Sequence, residues 1–488
     1  MNFEATRRQI LLKTRNTATA AFSLCAPAIL SSALFAIPQD KPNSQLPREQ
    51  KLKLISAGDP FAVSLSSGYN RRYEQVPSQR IMCESTQDVI NAVRYARDEN
   101  LPFSIRSGGH CFGGFSQHET LVIDLRYLNQ ISVNTKQHTI SVGAGAALGA
   151  VHGTAAKNGL LLSAGWCSDV GIGGQFLGGG IGFTSRFGGL LCDRISELTM
   201  VDAQGEIIHA HKGLNDDLLW ASRGGGGSLG VLTGMTINLD KVPLTTSFNL
   251  VRRYSSQEAA IVLARWQRLS DAVDRTITSH CSLYSYPDSQ IILIFSGQGV
   301  GRAAQVRNYL HELLGDNEKI KLNELVSGTL MDVMNNQILR SMKGSLPLYA
   351  KSHFVDHTMS EDACIDLVSE FSRHPFGSVF VTFETLGGAV SDIGNTETAF
   401  PHRNAKFLVQ SSVQPKHHDK ETSHLKALSA ISSALDVLST GGAYANYRDR
   451  ELSNWAEAYW GENLPLLSAI KRKYDPDNIF QHAQSVPP

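Results

Sequence analysis

The sequence predicts an α+β protein: a two-subdomain domain built around glycine loops that grip a ligand, and a second α+β domain with an antiparallel sheet. Three observations carry that prediction. The chain begins β–α–β and runs straight into a glycine-rich loop, RSGGHCFGGFS, at residues 106–116. A second such run, GWCSDVGIGGQFLGGGIG, follows at residues 165–182. From about 245 to 415 glycine thins, and long alternating strands appear between helical patches, the pattern of an antiparallel sheet with helices on one face.

Composition sets the outer bounds. A chain of 488 residues, 42% hydrophobic and 18% charged, has room for more than one buried core. Its 45 basic and 45 acidic residues cancel, which argues against nucleic acid or an anionic membrane surface as the main partner. The seven cysteines show no CxxC or Cys/His zinc spacing, so no structural metal is predicted. Residues 1–38 read as a segment outside the fold. TRRQILLK at 6–13 is close to the twin-arginine export pattern, and an apolar Ala- and Ser-rich run spans Ala18 to Ala36. A removable leader of this kind predicts the twin-arginine machinery as a partner and a periplasmic or secreted location, with no stable membrane insertion after removal.

Taken in order, residues 39–76 are polar and without a strong period. RIMCES (80–85) reads as a strand that delivers a helix start, with Ser85 as N-cap and Asp88 completing a capping box. The helix DVINAVRYARDEN keeps Val89, Ile90, Val93 and Ala96 on one face. Strands PFSIR (102–106) and TLVIDL (120–125) flank the first glycine loop. Residues 139–159 read as strand, glycine turn and helix, and LLLSAG (160–165) as the strand that delivers the second loop. Alternating strands with a D-A-Q-G turn occupy 186–210, and a third glycine run, RGGGGSLG, lies within 214–239. The second domain shows a helix at 257–274 and strands at 289–299 and 377–390, and a final helix is expected at about 463–473, before an Asp475-Pro476 turn.

Glycine-dense loops let the backbone approach a ligand closely and aim N–H groups at it. Each of the first two loops also holds one nucleophile, His110 and Cys167. A nucleophile held in such a loop suggests a cofactor that is gripped, and bonded, there.

These two stretches resemble the flavin-binding core of the FAD-linked oxidases of the vanillyl-alcohol-oxidase, or PCMH, type. More closely they resemble the berberine-bridge-enzyme-like branch, with its RSGGH loop and its GxCxxVGxGG run ending in GGGxG. Asp217, Trp220, Arg223 and the glycines at 224–227 reproduce a further signature of that branch, as do FETLGGAV with TAFPHR (398–403) and the C-terminal NYRDRELSNWAEAYWGENLPLLSAIKRKYDPDNIF (446–480). The resemblance implies a PCMH-type FAD-binding domain at 75–245, a substrate-binding domain at 246–415, and a segment at 416–488 that returns to the FAD domain. It implies FAD bonded through His110 and Cys167. Implied cofactor contacts are Arg106, Ser107, Gly108, Gly109, His110, Gly113, Gly114 and Ser116; then Gly165, Cys167, Val170, Gly171, Gly173, Gly174, Gly178, Gly179 and Gly182; then Gly230, Val231, Asn446 and Tyr447.

The activity implied is hydride transfer from an alcohol or sugar hydroxyl carbon to flavin, then to dioxygen, giving hydrogen peroxide. Such a reaction needs a proton acceptor beside the reacting hydroxyl. Tyr447 matches the tyrosine the branch often uses, Tyr444 lies three residues earlier and could take its place, and Glu384 and Asp449 are the candidate acids. Gln175 stands where the branch often has histidine; it keeps a hydrogen-bond donor but cannot carry charge. Ser228-Leu229 replaces the more usual Asn-Phe. Val170 occupies a place where valine tends to leave dioxygen a path to the flavin. The alternatives are a dehydrogenase passing electrons to a quinone or haem carrier, a tailoring oxidase closing a C–C or C–O bond on a natural product, and a binding protein that kept the fold and lost the flavin.

Overall fold

In the computed structural model the described residues are 52–286, 290–315, 318–334, 347–374, 377, 379–415 and 421–488. The leader expected at residues 1–38 lies outside them.

The first domain contains two sheets with a helix between them. Gln79–Met82 and Phe103–Arg106 both pair in parallel with Leu121–Asp124, and Leu54–Ser56 adds an antiparallel edge. Arg80 and Arg126 reach the buried Asp124 carboxylate at 2.6 and 2.7 Å, which fixes the central strand from two sides. The helix Thr86–Asp98 starts at the expected Ser85–Asp88 capping box and buries Val89, Ile90, Val93 and Ala96. Its contacts bridge to the second sheet, an antiparallel five-stranded array ordered Ile131–Asn134, Thr139–Gly143, Val231–Asn238, Ile195–Val201, Ile207–His211. LLLSAG forms only a two-residue strand, Leu160–Leu161, paired antiparallel with Asp240–Lys241.

The second domain is one seven-stranded sheet, antiparallel throughout, with Gln290–Val300, Ile277–Tyr286 and Phe380–Thr385 at its centre. Alternation along these strands explains its two faces. Cys281, Leu283, Phe295, Val381, Phe383 and Val409 point to one side, where they pack with apolar faces of helices Ser256–Ala272, Ala303–Leu314, Glu361–Ser372 and Glu421–Asp436 in one core. The intervening residues, among them His280, Ser282, Thr382, Glu384 and Gln410, face the first domain and line a cavity.

Sequence reading stopped short in two places. Thr245–Ser255, an eleven-residue strand, begins at the expected domain boundary itself and belongs to the large sheet. The helix Glu421–Asp436 buries Ala427, Leu428, Ile431 and Leu435 in the second core, so the packing of that domain extends past the cut at 415/416. Beyond it the chain crosses back: Tyr444, Tyr459, Trp460, Leu467 and Phe480 join the core of the first domain, which Phe354, Leu386, Phe400 and Leu408 already enter from the second. Among the described residues no helix is long and apolar enough to cross a membrane.

Candidate active site

The two glycine loops meet face to face. A Cβ on Gly108 would lie 2.2 Å from the Gly171 backbone nitrogen, so glycine at both positions lets the loops touch. Gly109 turns the chain at φ +75°, and among the described residues the N–H groups of Gly108, Gly109 and His110 donate to no protein acceptor. Successive free N–H groups around a positive-φ residue form a concave anion cradle. Ser107 Oγ fixes its base by donating to the Ala144 carbonyl at 2.7 Å.

A cavity of about 740 Å³ opens from this junction toward the second sheet. His110 and Cys167 both line it. Burial pulls the His110 imidazole down to about 4, so it stays neutral with a nitrogen lone pair to share, the form a nucleophile needs. Its ring opens a stack of four: His110 on Tyr69 at 5.0 Å, Tyr69 on Phe112 at 5.4 Å, and Phe112 on Tyr447 at 5.0 Å. The Cys167 loop is braced from behind. Gly165 N–H donates to Gln175 Oε1 at 2.9 Å, its carbonyl is bonded by His152 Nε2 at 2.9 Å, and Asn446 Nδ2 donates to the Gln175 carbonyl at 3.0 Å.

At the sheet end the Tyr447 hydroxyl donates to Glu384 Oε1 at 2.8 Å. Glu384 is 1% exposed, and burial pushes its carboxyl up to about 7. Burial, with the Glu384 and Tyr444 charges nearby, raises the Tyr447 phenol well above its ordinary value. Tyr444 is engaged differently: its oxygen accepts from the Gly180 and Ile181 N–H groups at 3.0 and 3.1 Å and from Asn446 Nδ2 at 2.9 Å. That pattern fixes the second loop to the C-terminal segment. Asp449 turns away, to Lys351 Nζ at 2.8 Å, and does not line the cavity.

Most expected site residues therefore come together: Ser107 to His110, Ser116, Gly165, Cys167, Val170, Gly171, Gly173 to Gln175, Gly178, Gly230, Glu384, Tyr444, Asn446 and Tyr447 all line the cavity. Six do not. Arg106 lies beneath the first loop, where Nη2 donates to the Ser67 carbonyl at 2.6 Å and Gly109 rests against its guanidinium. Gly113 faces Phe115, Gly114 faces Tyr73, Gly179 faces Phe400, and Gly182 sits over the Ala164 carbonyl. Val231 is wholly buried on its strand. These six shape the loops from behind. Sequence reading missed Tyr69, Phe112, Trp166, Phe183 and His280 as wall residues; only the alternation around His280 offered a signal.

An anion cradle, a neutral imidazole and a thiol around one cavity of about 740 Å³ fit a dinucleotide with a reactive ring edge, the arrangement expected of the flavin-binding core of an FAD-linked oxidoreductase. The comparisons agree. Residues 77–211 match the model for the FAD binding domain, and residues 443–487 the model for berberine and berberine like proteins. The chain is 31% identical over 448 residues to the uncharacterised FAD-linked oxidoreductase YgaK of Bacillus subtilis, covering 89% of this chain and 97% of that one. It is 28% identical over 455 residues to the reticuline oxidase of Papaver somniferum, covering 84% of each. The solved structure of berberine bridge enzyme from Eschscholzia californica superposes with a TM-score of 0.81 at 25% identity, over 90% of this chain and 97% of that one. The chain belongs to the berberine-bridge-enzyme-like family of FAD-linked oxidoreductases.

Proposed function

We propose that the chain is an exported oxidase that binds FAD covalently through His110 and Cys167 and oxidises the hydroxyl-bearing carbon of a neutral alcohol or sugar, with dioxygen as acceptor and hydrogen peroxide as product. The observation that carries this reading is the Tyr447–Glu384 hydrogen bond, placed in the same cavity as both nucleophiles. When bound, flavin supplies the two-electron acceptor. The protein supplies the proton path: the substrate O–H gives its proton to the Tyr447 oxygen as Tyr447 passes its own to Glu384 Oε1. Glu384, raised to about 7, is ionised and ready to receive it only at neutral pH and above. Val170 on the cavity wall supports dioxygen as the acceptor, and the twin-arginine pattern at 6–13 supports export to the periplasm or beyond.

Two measurements test it. Acid precipitation followed by intact mass should leave one FAD on the chain, held by the other bond in His110→Ala or Cys167→Ala alone and released in the double variant. Peroxide should accumulate in air at the rate of substrate oxidation; oxidation that requires an added quinone or dye would replace the oxidase with a dehydrogenase.

A further inference from the structure

Among the described residues His280 is the one histidine that the large sheet turns toward the cavity, and the proton path does not use it. The register sets it directly opposite Glu384, and residues so paired share a face with Cβ atoms about 5 Å apart. Both line the cavity and both are 1% exposed. Glu384 spends Oε1 on Tyr447, yet its Oε2 has no hydrogen-bond partner among the described residues, and neither has His280 Nε2. Unpartnered polar atoms this deep are costly unless a ligand or water completes them.

The rest of that wall narrows the ligand. Around the pair stand Ser282, Ser296, Thr382 and Gln410, all neutral donors and acceptors. Trp166 and Phe183 close over the His280 ring at 5.0 and 4.5 Å. Arg448, the arginine that reaches the cavity, uses Nη1 on the Gln484 carbonyl and lies over Tyr459 and Trp460. It stands against Gly113 and Gly226 of the glycine loops, so among the described residues the sheet wall around His280 and Glu384 carries no Lys or Arg for a carboxylate or phosphate. Burial keeps His280 neutral at working pH, pulling it down to about 3.

We propose that His280 is a second substrate-binding point, and that the site takes neutral vicinal diols, cyclic sugars among them. The reacting hydroxyl faces Tyr447 and Glu384, and the hydroxyl on the next carbon bonds His280 Nε2. This rests on the alcohol-oxidising reading above and adds to it a requirement for two adjacent oxygens.

The test is anaerobic flavin reduction of the full-length holoenzyme by matched pairs: hexoses against their 2-deoxy counterparts, and cyclohexane-1,2-diol against cyclohexanol. The parent enzyme should favour the vicinal partner in kcat/KM by about tenfold to a hundredfold, the effect of leaving one buried polar group unpaired. His280→Ala should bring that ratio near one by raising KM for the diol, while the slower partner of each pair is little changed. His280→Asn, which keeps a donor, should restore part of it. Because the ratio is taken within one preparation, loss of folded protein does not move it. A parent enzyme reduced equally by both partners, or a ratio unchanged in His280→Ala, would overturn the inference and leave the oxidase reading standing. No reduction of the parent flavin by any alcohol or sugar would remove that reading and the role of His280 with it.

Discussion

Replacing Glu384 by glutamine should slow the enzyme and stabilise it, and both effects should follow pH in a way the structure fixes. The folded carboxyl titrates near 7, against an ordinary value of 4.5, because burial disfavours its charge. Below pH 4.5 the group is protonated whether folded or unfolded, and it costs the fold nothing. As pH rises from 4.5 to 7 the unfolded chain ionises first, so the folded state is progressively penalised, and above 7 the full penalty applies. The difference, 7 − 4.5 = 2.5 pH units, corresponds to about 3 kcal/mol. Glutamine carries no such penalty at any pH, and its carbonyl can still accept from Tyr447. For a chain of 488 residues unfolding as one unit, about 3 kcal/mol is roughly 3 °C in Tm. The Tm of Glu384→Gln minus that of the parent should therefore grow by roughly this amount between pH 4.5 and pH 8. Activity should move the other way. Losing the final proton acceptor should cut kcat by about 10²–10⁴, and the rise of the parent rate through pH 7 should disappear. Parallel Tm curves from pH 4.5 to 8, or a parent rate that is flat through pH 7, would refute the assignment of Glu384 as a buried, titrating base.

The two tyrosines should separate cleanly. Tyr447→Phe removes the first proton acceptor and should lower anaerobic flavin reduction by at least about a hundredfold, whereas Tyr444→Phe removes an acceptor of three donors and should cost about 1–3 kcal/mol of stability with reduction within about tenfold. Stopped-flow absorbance and thermal melts on the same samples decide between them. Arg403→Leu strips the partner from the buried Asp193, which it grips with two bonds at 2.7 and 2.9 Å, and should destabilise by about 3–5 kcal/mol, read as a lower Tm at pH 7.

How much of this was legible in the sequence follows from the range of the interactions. The Ser85–Asp88 capping box and the glycine loops with their nucleophiles are written in a few consecutive residues, and the chain pattern alone located them. Glu384 and Tyr447 were legible as chemistry but not as a pair, because 63 residues separate them and strand register together with the return of the C-terminal segment joins them. Tyr69 gave no signal. It lies in a stretch without period, and it reaches the site only because its N–H donates to the Gly109 carbonyl at 3.0 Å and its ring stacks on His110. The helix Glu421–Asp436 was missed for a related reason: its start, ETSHLK, is polar, and its apolar face is defined by the sheet it covers. Periodicity records what one element does alone and is blind to walls that two domains share.

That shared wall makes a further prediction. Arg186 belongs to the first domain, four residues past Gly182, and is 5% exposed. Its Nε donates to the Ile277 carbonyl at 3.1 Å, Nη1 to Leu386 at 2.7 Å and Nη2 to Val273 at 2.8 Å. All three acceptors are in the second domain. Leu386 lies two residues beyond Glu384, and Ile277 begins the strand that carries His280. One planar guanidinium thus sets the strands bearing Glu384 and His280 against the domain bearing Cys167. Arg186→Lys keeps the charge but not the fork, and leaves at least one of the three buried carbonyls unpaired, at about 1–3 kcal/mol. Both glycine loops lie on the near side of this joint, so acid-stable flavin should remain at one per chain while kcat falls about tenfold or more as the proton acceptors drift from the reacting carbon. Loss of bound flavin with unchanged kcat per remaining flavin would show that Arg186 serves the cofactor loops instead of the alignment of the two domains.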